Sequence, residues 1–221
     1  EVVEKAALWL QRCQDKAGLF GSRSQDGMMY NQAIATLALA ELYGMTADEK
    51  AGAAAQRGIR FIERAQQEGG GWDYGNERTG RNDTSVTGWQ VMALKSAQAA
   101  GLKVSPQVWF KAMGHFVRLA RPDGEVTYSD KEPFSDRAGS GMAAVGLSSR
   151  VFLGWPRSAP AVEAGIQRSL QAAPKSAQAI ADDPFQGPYT WYYAALGLYH
   201  VGGSEWERFN TITRDYLVAQ Q

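Results

Sequence analysis

One phrase of residues occurs twice in the first third of the chain, and it restricts the possible folds more than any other feature. It consists of a basic-small pair, two apolar residues, a glutamine, and a glycine two residues before an aromatic residue. The copies are Lys5-Ala6, Trp9-Leu10, Gln14, Gly18 and Phe20, and then Arg57-Gly58, Phe61-Ile62, Gln66, Gly70 and Trp72. Gln14 and Gln66 are 52 residues apart. A period near fifty residues predicts an array of stacked supersecondary units.

Weaker copies of the phrase follow. The third contains Lys111-Ala112 and Phe116-Val117, then Arg121 in the place of the glutamine, Gly124, and Tyr128 as the late aromatic residue. A degraded fourth copy contains Ala164-Gly165 and Ser169-Leu170, and a fifth begins with Tyr216-Leu217 and Gln221. The fifth copy lacks its glycine and its aromatic residue. This pattern predicts that residues 1–221 form a single repeat domain within a longer polypeptide.

Helical periodicity dominates the sequence and alternating strand patterns are scarce. Helices that carry the repeated phrase are amphipathic, whereas those between them are apolar on all sides and should be buried on all sides. We therefore predict an all-α fold of helical hairpins, an α/α toroid or open arc with an amphipathic outer layer and an apolar inner layer. The nine predicted helices span roughly 2–14, 29–44, 47–67, 84–100, 106–119, 139–153, 160–173, 188–201 and 205–221.

Local signals mark several helix ends. Thr46 with Glu49, and Ser204 with Glu207, fit the capping box, in which each side chain binds a backbone N–H of the other residue. Gly44, Gly101 and Gly202 lie where helix ends often need a left-handed residue. The repeat residues Gln14, Phe20, Gln66, Gly70 and Trp72 are predicted to be structural: the glutamine reaches backbone groups, the glycine permits the turn, and the aromatic residue covers it.

Composition excludes several classes of function. Lysine plus arginine equals aspartate plus glutamate, at 23 each, so the chain lacks the basic excess of a nucleic-acid-binding protein. Cys13 is the only cysteine, which rules out a disulfide within the chain. That is compatible with the cytoplasm and with an exported domain, so the compartment stays open. The sequence contains no apolar run of about 18 residues, the length that would predict a membrane-spanning helix.

The Gln-x-x-x-Gly-x-Trp phrase resembles the QW motif of the squalene–hopene cyclase family, which protein prenyltransferase β subunits share loosely. Residues 29–40 and 83–94 also resemble bacterial squalene-cyclase-like repeat proteins of unknown function. The resemblance implies an α/α toroid with one outer and one inner helix per repeat. Fold likeness does not bring the chemistry with it.

The cyclase acid motif, an Asp-x-Asp-Asp-Thr-Ala phrase, is incomplete in this chain. The matching residues are Gly80-Arg81-Asn82-Asp83-Thr84-Ser85. Asn82 occupies the proton-donor position, and an amide cannot donate that proton. Asp83 would be the catalytic acid only if the chain were an enzyme, and otherwise it suits the N-cap of the helix from 84. The zinc site of the prenyltransferases has no counterpart either, because Cys13, His115 and His200 lack ligand spacing. We predict no metal and no cofactor.

Candidate ligand-binding residues lie at the starts of the inner helices, which a toroid directs toward its central opening. They are Tyr30, Asn31, Asn82, Asp83, Ser140, Tyr189, Trp191 and Tyr192. Aromatic rings with amide groups and a carboxylate suit an apolar, peptide or sugar-like ligand, although Tyr and Trp also fill helical cores. The loop 72–82, with Asp73, Tyr74, Glu77, Arg78 and Arg81, is a candidate lid or contact surface.

Three hypotheses of function remain open. The incomplete acid motif and the repeat architecture favour a non-catalytic binding or interaction module, one of whose partners would be the rest of a larger polypeptide. Family resemblance alone favours an isoprenoid-handling enzyme, a terpene cyclase or prenyltransferase. The Trp and Tyr content favours a carbohydrate-active α/α-barrel enzyme, for which the sequence assigns no carboxylate pair.

Overall fold

The structure is a computed structural model that describes residues 1–23, 26–131, 140–174 and 187–221. Those residues contain nine α-helices and isolated β-bridges instead of a β-strand, which confirms the predicted all-α fold. The helices are α1 Val2–Cys13, α2 Met28–Thr46, α3 Glu49–Ala65, α4 Thr84–Ala99, α5 Pro106–Arg118, α6 Ser140–Phe152, α7 Pro160–Gln171, α8 Pro188–Val201 and α9 Gly203–Ala219. In this part of the chain, every helix is too short or too polar to cross a membrane.

The chain divides into two compact units, Glu1–His115 and Phe116–Gln221. In the first unit α2 packs against both α3 and α4, α3 also contacts α4, and α1 packs against α3. On α4, 11 of 16 residues are buried, so this helix is covered on all sides. On α3 the buried residues follow one face. The difference between these two helices agrees with the predicted inner and outer layers.

The second unit is built in the same way around α6 and α8, which pack against each other. The helix α7 covers α6, and α9 packs against α8 and α7. The apolar middle of α6 is fully buried, including Ala143, Val145 and Leu147. Whether residues 1–221 act as one repeat domain of a longer polypeptide stays a prediction.

Two predicted capping boxes and one predicted helix end are wrong. Thr46 is the last residue of α2, and the N-cap of α3 is Asp48, whose carboxylate accepts from the N–H groups of Lys50 and Ala51. A carboxylate directly before the helix reaches those groups more easily than Thr46 does. The helix α9 begins at Gly203, one residue before Ser204, so Ser204 is not its cap. Gly44 lies within α2, whereas Gly101 and Gly202 have the predicted positive φ.

A repeated turn links each outer helix of the first unit to the next inner helix. The Gln66 side chain is buried, and its Nε2 donates to the carbonyl of Gly70 at 2.9 Å and to that of Val108 in α5 at 3.0 Å. The Gln14 Nε2 donates in the same way to Gly18, at 3.3 Å, and to Ala54 in α3, at 2.9 Å. One amide therefore fixes the turn and attaches it to the following outer helix.

The third turn shows that two positions predicted for the third copy are wrong, whereas its glycine is correctly placed. The bridge Ala120–Val126 is the counterpart of the bridge Gln14–Phe20, so Ala120 and not Arg121 takes the place of the glutamine. Val126, which is fully buried, takes the place of the aromatic residue that was assigned to Tyr128. Gly124 keeps a positive φ of 86° and lies against the backbone of Ala164. The backbone of the turn is thus retained where its glutamine is lost.

We predict that Gly70→Ala destabilises the protein much more than Gly101→Ala does. Both glycines have positive φ, 84° and 79°, so each alanine costs about 1–2 kcal/mol in a left-handed conformation. The added Cβ at Gly70 would also lie against the carbonyl of Lys111, whereas nothing lies near Gly101. Urea unfolding should show a loss larger by about 1–3 kcal/mol for Gly70→Ala. Equal losses for the two variants would contradict this account of the turn.

Candidate functional site

An arginine lies between two carboxylates at the start of α4. Arg81 is in the loop between α3 and α4, and its Nη1 atom is 2.6 Å from Oδ1 of Asp73. Its Nη2 atom is 3.0 Å from Oδ2 of Asp83, the N-cap of α4 as predicted. The side chain of Arg81 is 19% exposed, whereas that of Asp83 is fully buried. One guanidinium therefore brings together a carboxylate pair in the first unit.

Every oxygen of these two carboxylates accepts a hydrogen bond within the protein. Oδ1 of Asp73 also accepts from the N–H of Tyr74 at 2.9 Å, and Oδ2 accepts from the hydroxyl of Thr79 at 2.8 Å. Oδ1 of Asp83 accepts from the N–H of Val86 at 2.9 Å. A carboxylate in acid–base catalysis has to reach a substrate proton. The bonds formed by these carboxylates hold the loop and the first turn of the helix.

Burial raises the pKa of Asp83 above its ordinary value. The hydrogen bond from Val86 and the charge of Arg81 oppose this effect, since both favour the carboxylate. A raised pKa in a buried carboxyl group is one feature of catalytic acids, but structural ion pairs produce it too. The position of Asp83 as a helix cap accounts for its burial without a catalytic role.

Two tyrosines extend this charged cluster toward solvent. The guanidinium of Arg81 lies 5.1 Å from the centroid of the Tyr74 ring, within the range of a cation–π contact. The Tyr30 ring is 5.9 Å from that of Tyr74, and the Tyr30 hydroxyl donates to Ser85 Oγ at 3.0 Å. Tyr74 is 39% exposed. The surface formed by Tyr30, Tyr74 and Arg81 is therefore accessible from solvent and supported by buried polar groups.

The loop that carries this surface is tied down along its length. The Gln67 side chain donates to the carbonyl of Glu77 at 2.7 Å and accepts from the N–H of Gly80 at 3.2 Å. The N–H of Met29, in α2, donates to the carbonyl of Tyr74 at 3.0 Å. These bonds favour the interpretation of the loop as a contact surface over the interpretation as a moving lid.

Other candidate residues of the first two inner helices lie elsewhere. Asn82 is buried, and its Oδ1 accepts from the N–H of Gly71 at 2.8 Å, so its amide supports the repeated turn. Asn31 is exposed and lines a groove beside Trp9. The arginine cluster thus includes Tyr30 and Asp83 from the predicted set, but not the two asparagines.

In the second unit, the predicted residues of α8 separate into exposed and buried side chains. Tyr189 and Tyr192 are 40% and 42% exposed, and their rings lie 5.1 and 5.5 Å from that of Tyr193. Trp191 is buried, and its Nε1 donates to the carbonyl of Ala172 at 2.9 Å, as a core residue would. Ser140 is the first residue of α6, and its side chain lies outside the described residues.

The three residues considered as metal ligands are dispersed. His115 is buried, with Nε2 3.4 Å from the hydroxyl of Thr84. The His200 ring packs against Phe152 at 5.1 Å, and Cys13 lines the groove beside α2. Within the described ranges no three His, Cys, Asp or Glu side chains are grouped as metal ligands.

A further buried carboxyl group lies in the turn that precedes α6. Glu125 is 1% exposed, and its Oε1 is 3.0 Å from Nη2 of Arg168. Burial raises the pKa of Glu125 to about 7, although the charge of Arg168 opposes this. Glu125 lies within the third repeated turn, next to Val126. We interpret it as a structural group whose protonation affects stability.

The comparisons with known proteins bear on the fold alone. Among solved structures the chain is similar to a variant of an unsaturated glucuronyl hydrolase with the oligosaccharide dGlcA-Glc-Rha-Glc. The TM-score is 0.62 at 14% sequence identity, over 89% of this chain and 67% of that chain. That protein has an α/α-toroid fold, which supports the predicted fold class. No protein-family model and no curated protein matches the sequence, so the likeness to squalene cyclases has no support beyond the fold.

We predict that the stability of the protein falls as the pH rises through about 7, and that Glu125→Gln reduces this fall. The pKa of Glu125 is about 7 in the folded state, above the ordinary 4.5. Its contribution to stability is therefore fully present below pH 4.5 and is lost as the pH rises through 7. After allowance for solvent screening the loss is about 1–2 kcal/mol.

Urea unfolding between pH 4.5 and 8 measures the effect. Glu207→Gln is the matched control, because it makes the same change at an exposed position of α9. It should leave the pH dependence close to that of the wild type. A pH profile that is unchanged by Glu125→Gln would show that Glu125 titrates normally in the folded protein.

Proposed function

We propose that the first unit is a non-catalytic binding module that takes a sugar-like ligand on the surface of Tyr30, Tyr74 and Arg81. The observation that carries this proposal is the arrangement of Arg81, which engages both carboxylates and lies over a solvent-exposed tyrosine ring. The ion pairs with Asp73 and Asp83 fix the orientation of the guanidinium. The module is therefore preorganised, because its polar groups hold their positions before a ligand arrives.

The chemistry of the surface suits a carbohydrate better than a purely apolar ligand. A sugar ring offers C–H groups to an aromatic face and hydroxyl groups to charged and phenolic side chains. Tyr30 and Tyr74 supply rings with polar ends, and Arg81 supplies hydrogen-bond donors at their edge. The likeness in fold to a protein seen with an oligosaccharide supports the same ligand class.

The hydrogen bonds that the two carboxylates accept favour binding over catalysis. Each oxygen of Asp73 and Asp83 accepts a hydrogen bond from the protein, and three of the five bonds come from groups other than Arg81. A substrate would have to displace these bonds to reach a carboxyl group. A carbohydrate-active enzyme remains the alternative, because Arg81 brings together the two carboxylates that such an enzyme requires.

We predict that Tyr74→Ala weakens binding of dGlcA-Glc-Rha-Glc, or of a neutral gluco-oligosaccharide, by about five- to thirtyfold. Loss of one stacking ring in a sugar site corresponds to about 1–2 kcal/mol. Isothermal titration calorimetry with the full chain measures the affinity. The matched control is Tyr199→Ala, which removes a tyrosine that is 61% exposed in the second unit. Equal effects of the two substitutions, or no binding of either sugar by the wild type, would contradict the proposal.

A product assay on the same oligosaccharides distinguishes the enzymatic alternative from the proposed non-catalytic binding. The proposal predicts that no new reducing ends form during incubation with the wild-type chain. Hydrolysis that is lost in Asp83→Asn, while the melting temperature is retained, would overturn the non-catalytic assignment. It would also make Asp83 a catalytic residue and not only a helix cap.

An isoprenoid-handling enzyme is the remaining alternative, and the residues argue against its cyclase form. Asn82 stands at the proton-donor position and its amide is committed to the turn through Gly71. We predict that squalene, oxidosqualene and geranylgeranyl diphosphate are recovered unchanged after incubation, as analysed by gas chromatography with mass spectrometry. A cyclised product that depends on Asp83 would refute this expectation.

A further inference from the structure

A buried arginine in the second unit has no hydrogen-bond partner among the described residues. Arg150 lies in the last turn of α6, and its side chain is fully buried. Each of its guanidinium nitrogens, Nε, Nη1 and Nη2, is enclosed by the protein without an acceptor in the described part of the chain. Buried charges are normally paired, because an unpaired charge loses its hydration without compensation.

The packing around Arg150 holds the guanidinium in place. Gly146 lies one turn earlier on α6, and a Cβ there would lie 3.1 Å from Nη1 of Arg150 and would also meet Val126. The backbone N–H of Trp155 donates to the carbonyl of Arg150 at 3.0 Å, and its ring centroid lies 5.7 Å from the guanidinium carbon. This cation–π contact attracts the charge, but it leaves the guanidinium N–H groups without an acceptor.

The carboxyl groups of the adjacent repeated turn are engaged with other arginines. Oε1 of Glu125 lies 3.0 Å from Nη2 of Arg168. Asp123 forms its ion pairs with Arg121 and Arg168. Burial alone lowers the pKa of Arg150 to about 10, and no described carboxylate opposes this shift. Arg150 is nevertheless a cation at neutral pH.

A second donor accompanies the guanidinium. Nε1 of Trp155 is buried and also has no partner within the described ranges. The indole N–H can only donate a hydrogen bond, as can every N–H group of Arg150. The neighbourhood of Arg150 therefore has a surplus of donors and of positive charge. A water molecule accepts hydrogen bonds but does not compensate a charge, whereas an anion does both.

We propose that Arg150 binds a small monovalent anion inside the second unit, either a chloride ion or the carboxylate of a small acid. The anion accepts from the guanidinium and supplies the opposite charge. Because Arg150 is fully buried, the occupant has to be small. The site lies in the second unit, so it is independent of the sugar-binding surface proposed for the first.

The stability of the protein in solutions of different anions tests this site. Urea unfolding of the full chain is measured in sodium chloride and in sodium formate, and in sodium gluconate of the same ionic strength, whose anion is too bulky for a buried site. A ligand that binds only the folded protein lowers the unfolding equilibrium constant. At about ten times Kd, chloride or formate should lower this constant about tenfold relative to gluconate. The ion with the larger effect identifies the site as one for a halide or for a carboxylate.

Two matched variants assign the effect to Arg150. Arg150→Met removes the charge and keeps much of the side-chain volume, so the variant should unfold with the same equilibrium constant in all three salts. Arg208→Met makes the same change at an exposed position of α9 and should keep the dependence of the wild type on the anion. Equal dependence on the anion in Arg150→Met and in the wild type would overturn the proposal, as would a wild type that responds to ionic strength alone.

A crystallographic measurement on the wild type needs no variant and covers the case in which Arg150→Met does not fold. Crystals are grown in sodium bromide, or in sodium formate if formate is the stronger ligand. Anomalous scattering from bromide, or density for formate, should lie within hydrogen-bonding distance of the Arg150 guanidinium. A guanidinium that is bound instead to a carboxylate of the chain, without an anion beside it, would overturn the proposal.

Discussion

The hydrogen bonds of one glutamine side chain hold the first unit in register. The Nε2 atom of Gln66 binds the carbonyl of Gly70 in its own turn and that of Val108 in the next outer helix. Because the glycine lies against the backbone of Lys111, the turn and that helix are in direct contact and neither can move without the other. The side chain is buried, so loss of this amide would remove two hydrogen bonds that are formed away from water.

The same turn sets the position of the proposed binding surface. The chain leaves the turn at Trp72, which is fully buried and bridges to Asp83. That bridge places the N-cap of α4 beside the start of the loop, within reach of Arg81. Since Asp73 follows Trp72 directly, both carboxylates come to one guanidinium. The surface of Tyr74 and Arg81 is thus a consequence of the repeat with a longer loop inserted in it.

The sequence allowed the helices and their layers to be predicted because their signals are local and periodic. The 3.6-residue pattern and the fifty-residue period both survive in a single chain, and α8 spans the predicted residues. The pairing of Asp73 with Asp83 through Arg81 could not be predicted, because a loop has no period that aligns residues across it. The glutamine position of the third repeat was assigned one residue too late for a related reason: Ala120 lacks the glutamine amide that identifies the turn.

The central claim is that an exposed tyrosine surface, supported by an engaged carboxylate pair, binds a sugar without cleaving it. A crystal structure of the chain soaked with dGlcA-Glc-Rha-Glc tests this most directly. The account predicts an intact oligosaccharide with a ring against Tyr74, and the bonds of Arg81 to Asp73 and Asp83 preserved. A cleaved sugar with a carboxyl group of Asp73 or Asp83 turned toward it, or an intact sugar bound only at Tyr189 and Tyr192, would contradict it.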